Sequence, residues 1–137
     1  MQVNRYLKDK AMDRIDHALG RPIDPMAETY RDYFATDAEG AQAAQFRASP
    51  HWDQGAIRGD MAWFHVSDDG RAALRDHLLE IGDPHRLYTV SWDGWDMPQV
   101  ATSHGKARYA KWLDISDSYE ISFKDFAVTA KVRLAHS

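Results

Sequence analysis

A chain of 137 residues, 44% apolar and 12% aromatic, is long enough to bury one hydrophobic core and too rich in large side chains for a disordered tail. It contains no cysteine, which excludes disulfide staples, thiolate zinc sites and a cysteine nucleophile. The net charge of -4 lies in residues 1–82, where ten Lys/Arg face fourteen Asp/Glu, while residues 83–137 hold seven of each; a surface built throughout for phosphate is therefore disfavoured, since counterion release needs clustered cations.

Val3, Leu7, Ala11, Ile15 and Ala18/Leu19 recur at helical spacing, and Gly20 and Pro22 follow where a helix would stop, predicting a helix from Val3 to Leu19. The same stretch, MQVNRYLKDKAMDRIDHALG, is charged throughout and lacks the apolar segment of a signal peptide. No run approaches the ~20 apolar residues that span a bilayer, and together with the missing cysteines this points to a cytoplasmic protein without membrane contact. Asp24-Pro25 reads as a cap followed by proline at the first helical position, predicting a second helix over PMAETYRDYFA (25–35). A third is expected from Ala38 to Ala48, ended by Pro50.

SPHWDQGAIRGD (49–60) reads as a loop with a short hairpin near Arg58-Gly59-Asp60, and MAWFHV (61–66) as a strand. Ser67 caps the next helix, whose stripe of Ala72, Ala73, Leu74, Leu78, Leu79 and Ile81 is closed by Gly82 and Pro84. RLYTVSW (86–92) predicts another strand, Asp93-Gly94 a hairpin turn, and a third strand falls near Gln99 to Thr102. A helix then runs from Ser103 or His104 to about Ile115, and ISFKDFAVTAKVRL (121–134) reads as one bent strand or two short ones. The expected fold class is α+β: N-terminal helices followed by a small antiparallel sheet with packed helices, in the order α-α-α-β-α-β-β-α-β. This is a single domain over 1–137, with Gly82 to His85 as the candidate seam between a helical part, 1–82, and a ββαβ part, 83–137.

Residues 102–113, TSHGKARYAKWL, hold a Gly-Lys pair. A phosphate loop would need glycine at position 100 and Ser or Thr at 107, where Val100 and Ala107 stand, so that reading fails. A weaker one survives, in which the helix start at Ser103, His104 and Gly105 faces an anion and Lys106 closes over it. On a helical wheel Tyr109, Ala110 and Leu113 share the inner face, and Arg108 and Lys111 point to solvent. With three cations and no carboxylate, 104–113 is the most basic local surface, and Lys106, Arg108 and Lys111 are the candidate contacts to a macromolecule, nucleic acid included. A solvated helix face is the competing reading. Among the five tryptophans, Trp63 and Trp92 are expected in the core, whereas Trp52 and Trp95 fall in polar loops and are candidate interface anchors, unless each folds back over a sheet edge.

The segments DHALGRP, ETYRDYFAT, SPHW, VSDDGRAAL and SHGKARYAKWLDISD together resemble small proteins of alphaproteobacterial phages and prophages, a resemblance that spans most of the chain. It implies a phage accessory protein that binds a host protein or ribonucleoprotein complex, and most concretely an anti-CRISPR-like inhibitor of a host defence complex. A second resemblance, over residues 38–80, is to a winged helix, in which FHVSDDGRAAL carries a wing hairpin into the last helix. It implies a DNA-binding transcriptional regulator, although the recognition segment AEGAQAAQFRAS offers only Arg47 as a cation, with Gln42 and Gln45 able to read base edges.

Catalysis is not specified by any motif. Asp13, Asp16, Asp24, Asp37 and Asp93 occupy cap, turn and helix-surface positions, and no Gly-x-Ser-x-Gly elbow occurs. The histidines lack the i, i+4 pair of a helical zinc motif; His65 and His77, on a strand and the helix after it, are the pair that could meet. No catalytic residue, metal or cofactor is assigned, and the expectation leans away from an enzyme.

Overall fold

In the computed structural model, which describes residues 2–135, the first twenty residues divide between two structures. Helix α1 spans Lys10–Ala18 and begins where the Asp9 carboxylate accepts the Met12 amide; residues 2–8 form a non-helical strap beside it. The strap is fixed by a bridge from Gln2 to Pro22 and by the Val3 amide on the Arg21 carbonyl at 2.6 Å. The helix expected from Val3 is thereby corrected, and Arg5 gives the reason. Its guanidinium donates to both Asp16 carboxylate oxygens at 3.1 and 2.7 Å, to Asp83 at 3.0 Å and to the Pro22 carbonyl at 2.9 Å. Eleven residues along one helix would hold Arg5 roughly 16 Å from Asp16. Val3 and Leu7 still pack inward, so their apolar spacing reports burial without a helix.

The predicted helix over 25–35 is also absent. Asp24 accepts the Met26 amide in a tight turn, and no helix follows because other groups take the carbonyls. Arg71 donates to Pro25 O and Ala27 O, both at 3.0 Å, and to Thr29 Oγ1 at 3.1 Å. Arg31 reaches back to the Ala18 carbonyl at 3.1 Å. Strand β1, Tyr33–Asp37, then takes residues that carry the β-favouring Tyr33 and Phe34. Helix α2, Ala41–Ala48, lies inside its expected range.

The segment read as a loop is largely strand β2, Trp52–Arg58, and the hairpin at Gly59-Asp60 joins it to β3, Met61–Val66. Helix α3, Asp68–Glu80, starts at Ser67, whose hydroxyl accepts the Gly70 amide, and stops at Gly82 with φ +67°. The three strands form an antiparallel sheet in the order β1-β3-β2, with a bulge in β2 between Gln54 and Ile57. Its buried face, Ala62, Phe64 and Val66 of β3, packs on Ile15 and Ala18 of α1, Phe46 of α2 and Leu74 of α3. Gly70 permits the tight join of α3 to the entry of β2, since a Cβ there would lie 2.5 Å from the His51 carbonyl oxygen. The elements before the hairpin are α1, β1 and α2, in place of the three helices expected from the sequence.

Residues from Pro84 onward cluster as a second compact unit, apart from Gln2–Asp83. Strand β4, Arg86–Trp92, turns through Asp93 and Gly94, both with positive φ, into β5, Trp95–Ala101, which begins earlier than expected. Helix α4 is His104–Ser116. Within the stretch read as strand lies helix α5, Phe123–Thr129, capped by the Ser122 hydroxyl on the Asp125 amide, and only Lys131–Leu134 is strand, β6. The sheet order is β5-β4-β6, antiparallel throughout. Val90 packs with Ile115 of α4 and Phe126 of α5, and Tyr88 with Ala107.

The fold is α+β, with five helices and two three-stranded antiparallel sheets among the described residues, in the order α-β-α-β-β-α-β-β-α-α-β. Among them no helix is long and apolar enough to cross a membrane.

Candidate functional site

Helix α4 is rotated relative to the wheel drawn from its sequence. Ala107 and Ile115 are its buried positions, whereas Tyr109 is 49% and Leu113 46% exposed. The face expected to be inner is therefore the outer one. The two cations expected in solvent are drawn in: the Lys111 side chain is only 13% exposed and sits 3.8 Å from Asp114, and Arg108 Nε is buried without a hydrogen-bond partner among the described residues. Lys106 is exposed as expected, with its amide on the Ser103 hydroxyl at 3.1 Å, and His104 meets the Tyr88 ring edge-on at 4.8 Å between centroids. Packing on two elements accompanies this rotation: Ala107 lies in one buried cluster with Tyr88 of β4, and Ile115 in another with Val90 of β4 and Phe126 of α5.

What the rotation exposes is a three-ring cluster. Tyr109, Trp112 and Phe123 stand with centroids 5.5–5.6 Å apart in every pairing. Trp112 is anchored by its indole N–H on the Ile121 carbonyl at 2.9 Å, which ties α4 to the start of α5. Phe123, the first residue of α5, is 36% exposed, and Leu113 extends the patch along α4. Sequence reading missed Phe123 because it placed that residue in a strand. The cluster has one legible signal, the helical spacing of Tyr109 and Leu113, which with Ala110 reads as the inner face of the helix, and Trp112 carries no signal of its own.

The two candidate tryptophan anchors part ways. Trp52 is the first residue of β2, 8% exposed, and stacks on Phe46 at 4.2 Å with ring planes 21° apart; the expected loop anchor is part of the core. Trp95, just past the β4–β5 turn, is 69% exposed. Trp92 packs against the core as expected, while Trp63 is half-buried on the sheet face away from the helices.

His65 and His77 do not meet as the sequence suggested. His65 lies on that same outward face with Nδ1 3.0 Å from an Asp32 carboxylate oxygen. His77 lines an open cavity of about 360 Å³ with Tyr6, Leu7, Lys8, Asp9 and Ile81. Among the described residues no three His, Asp or Glu side chains gather as a metal-holding group. Asp13 and Asp16, read as helix-surface acids, are bound by arginine: Arg21 lies 2.7 Å from Asp13 and 3.0 Å from Asp16.

On the outer face of the C-terminal sheet, Ser91 donates to Asp96 at 2.5 Å and Arg133 Nη1 lies 2.8 Å from the Ser91 hydroxyl oxygen. The Ser91 bond, aided by Arg133, holds the Asp96 carboxyl below its ordinary range. Comparison with protein families, curated proteins and solved structures finds no match to this chain.

Proposed function

We propose that this chain acts without catalysis, as a phage or prophage accessory protein that binds a host protein or ribonucleoprotein complex, most concretely as an inhibitor of a host defence complex in the cytoplasm. One observation carries the reading: the Tyr109, Trp112 and Phe123 cluster, with Leu113, offers a contiguous aromatic surface that is only part-covered by its own fold. Aromatic rings held in place by their neighbours lose little side-chain entropy on binding and are the usual energetic centres of protein interfaces. The phage-protein resemblance supports the biological setting.

Local charge favours a protein surface over a bare nucleic acid. Between 103 and 126, Lys106, Arg108, Lys111 and Lys124 are matched by Asp114, Asp117, Glu120 and Asp125. A phosphate-tracking groove would carry unmatched cations. Affinity capture from host extract tests this with the wild-type protein and with Tyr109→Ala/Leu113→Asp, a pair of changes at exposed positions. A partner retained by the first and lost by the second, with equal thermal stability, supports the reading. Retention by both, or a gel shift of duplex DNA that weakens steeply with salt, would replace it with another surface or with the regulator reading.

A further inference from the structure

The sheet β1-β3-β2 buries one face and leaves the other open, and the register of its strands arranges the open face in three rows. Tyr33, His65 and Asp53 form one row, Ala35, Trp63 and the Gly55/Ala56 bulge the next, and Asp37, Met61 and Arg58 the third. Trp63 is thus central, and its flanks are the smallest side chains on the face. Gly55 lies close beside it: a Cβ there would be 3.3 Å from the Trp63 carbonyl oxygen and 2.7 Å from His65 Nε2, so the imidazole would have to shift.

Carboxylates rim this tryptophan. Asp53 is exposed and Asp37 is exposed, the latter accepting the Glu39 amide through one oxygen; Asp32 holds His65 at 3.0 Å. Two cations share the region and are placed differently. Arg31 lies over the Tyr33 ring at 4.9 Å and donates to the Ala18 and Tyr33 carbonyls, so it is engaged. Arg58 stands at the hairpin end of the third row.

We propose that this open sheet face is a docking surface for an arginine-rich segment of a partner protein, with a guanidinium over Trp63 and its neighbours paired to Asp53 and Asp37. The chemistry is that of a cation placed on an indole face within reach of acids, which selects a basic peptide and repels phosphate. Nothing in it rests on the α4–α5 ring cluster.

Octa-arginine carrying a fluorescent label is the probe, titrated into the full chain by anisotropy at low and at raised salt. Asp37→Asn/Asp53→Asn is expected to weaken binding by about tenfold, and Trp63→Leu by a comparable factor in a variant checked for folding by circular dichroism. Asp76→Asn/Glu80→Gln, which removes the same charge from the exposed side of α3, leaves affinity within about twofold. If the α3 control weakens binding as much as the face variants, the attraction is that of overall charge and the proposal falls. It falls equally if the face variants bind octa-arginine as the wild type does, or if an octa-glutamate or a single-stranded oligonucleotide of similar length binds the wild type more tightly.

Discussion

Asp16 is the residue on which the N-terminal packing turns. It is fully buried, with Arg5 on both oxygens and Arg21 on one, and through Arg5 it fixes the strap, Pro22 and Asp83. Removing one partner from a buried ion pair leaves an uncompensated charge, so Asp16→Asn is expected to cost about 3–5 kcal/mol, read as a lowered urea midpoint. Asp13 gives the pH counterpart. The hydrogen bond from Arg21 is the main cause that holds its carboxyl below the ordinary value, with partial burial opposing and the Leu7 amide assisting. A folded pKa below the unfolded one means stability that is complete above about pH 4 and lost as pH falls through the folded value. Asp13→Asn should therefore be less stable than wild type near neutrality, by about 1 kcal/mol, with the gap closing in acid. Chemical denaturation across pH checks this; a gap that stays constant would show that Asp13 contributes by shape and not by charge. None of this was visible in sequence, where both acids read as solvent-facing helix residues, because an ion pair across eleven residues leaves no local pattern.

At the scale of elements, what sequence revealed was what is locally determined. The Ser67 cap with its apolar stripe, the run RLYTVSW and the Asp93-Gly94 turn each carry their own structural preference, and α3, β4 and their boundaries follow. The failures share a cause in tertiary contact. Residues 25–35 have a sound helix start, but Arg71, some forty residues on, takes the carbonyls that a helix would use. Residues 123–129 alternate enough to suggest a strand, yet Ser122 caps them and Phe126 buries completely, which makes seven residues helical. The join of α3 to β2 gives a direct test. Gly70→Ala must push a backbone carbonyl aside, and a loss of about 1–3 kcal/mol is expected in place of the small gain usual for glycine to alanine in a helix. A stabilised Gly70→Ala protein would mean that the two elements are less closely joined than described. The same rule governs the candidate site: helical spacing shows a one-sided pattern on α4, but which side is buried depends on packing with Tyr88 of β4 and Phe126 of α5, so Tyr109 and Leu113 lie on the outer face and not the inner one.

For the molecule as a whole, the proposed function resides in exposed surface, and first in the aromatic cluster of α4 and α5. Trp112 packs against the core of Val90, Ile115 and Phe126 and meets the Phe123 ring with centroids 5.5 Å apart. Tyr109 and Phe123 stay exposed and Trp112 half-buried, and an apolar surface in water carries an energetic disadvantage. The most direct measurement is phage plaquing on a host with an active, targeting defence system, with this chain expressed beforehand as wild type or as Tyr109→Ala/Leu113→Asp at matched levels. The wild type is predicted to restore plaques and the double variant to fail while its thermal unfolding is unchanged. Restoration by both proteins would contradict the assignment of function to this surface, and restoration by neither would contradict the inhibitor reading itself.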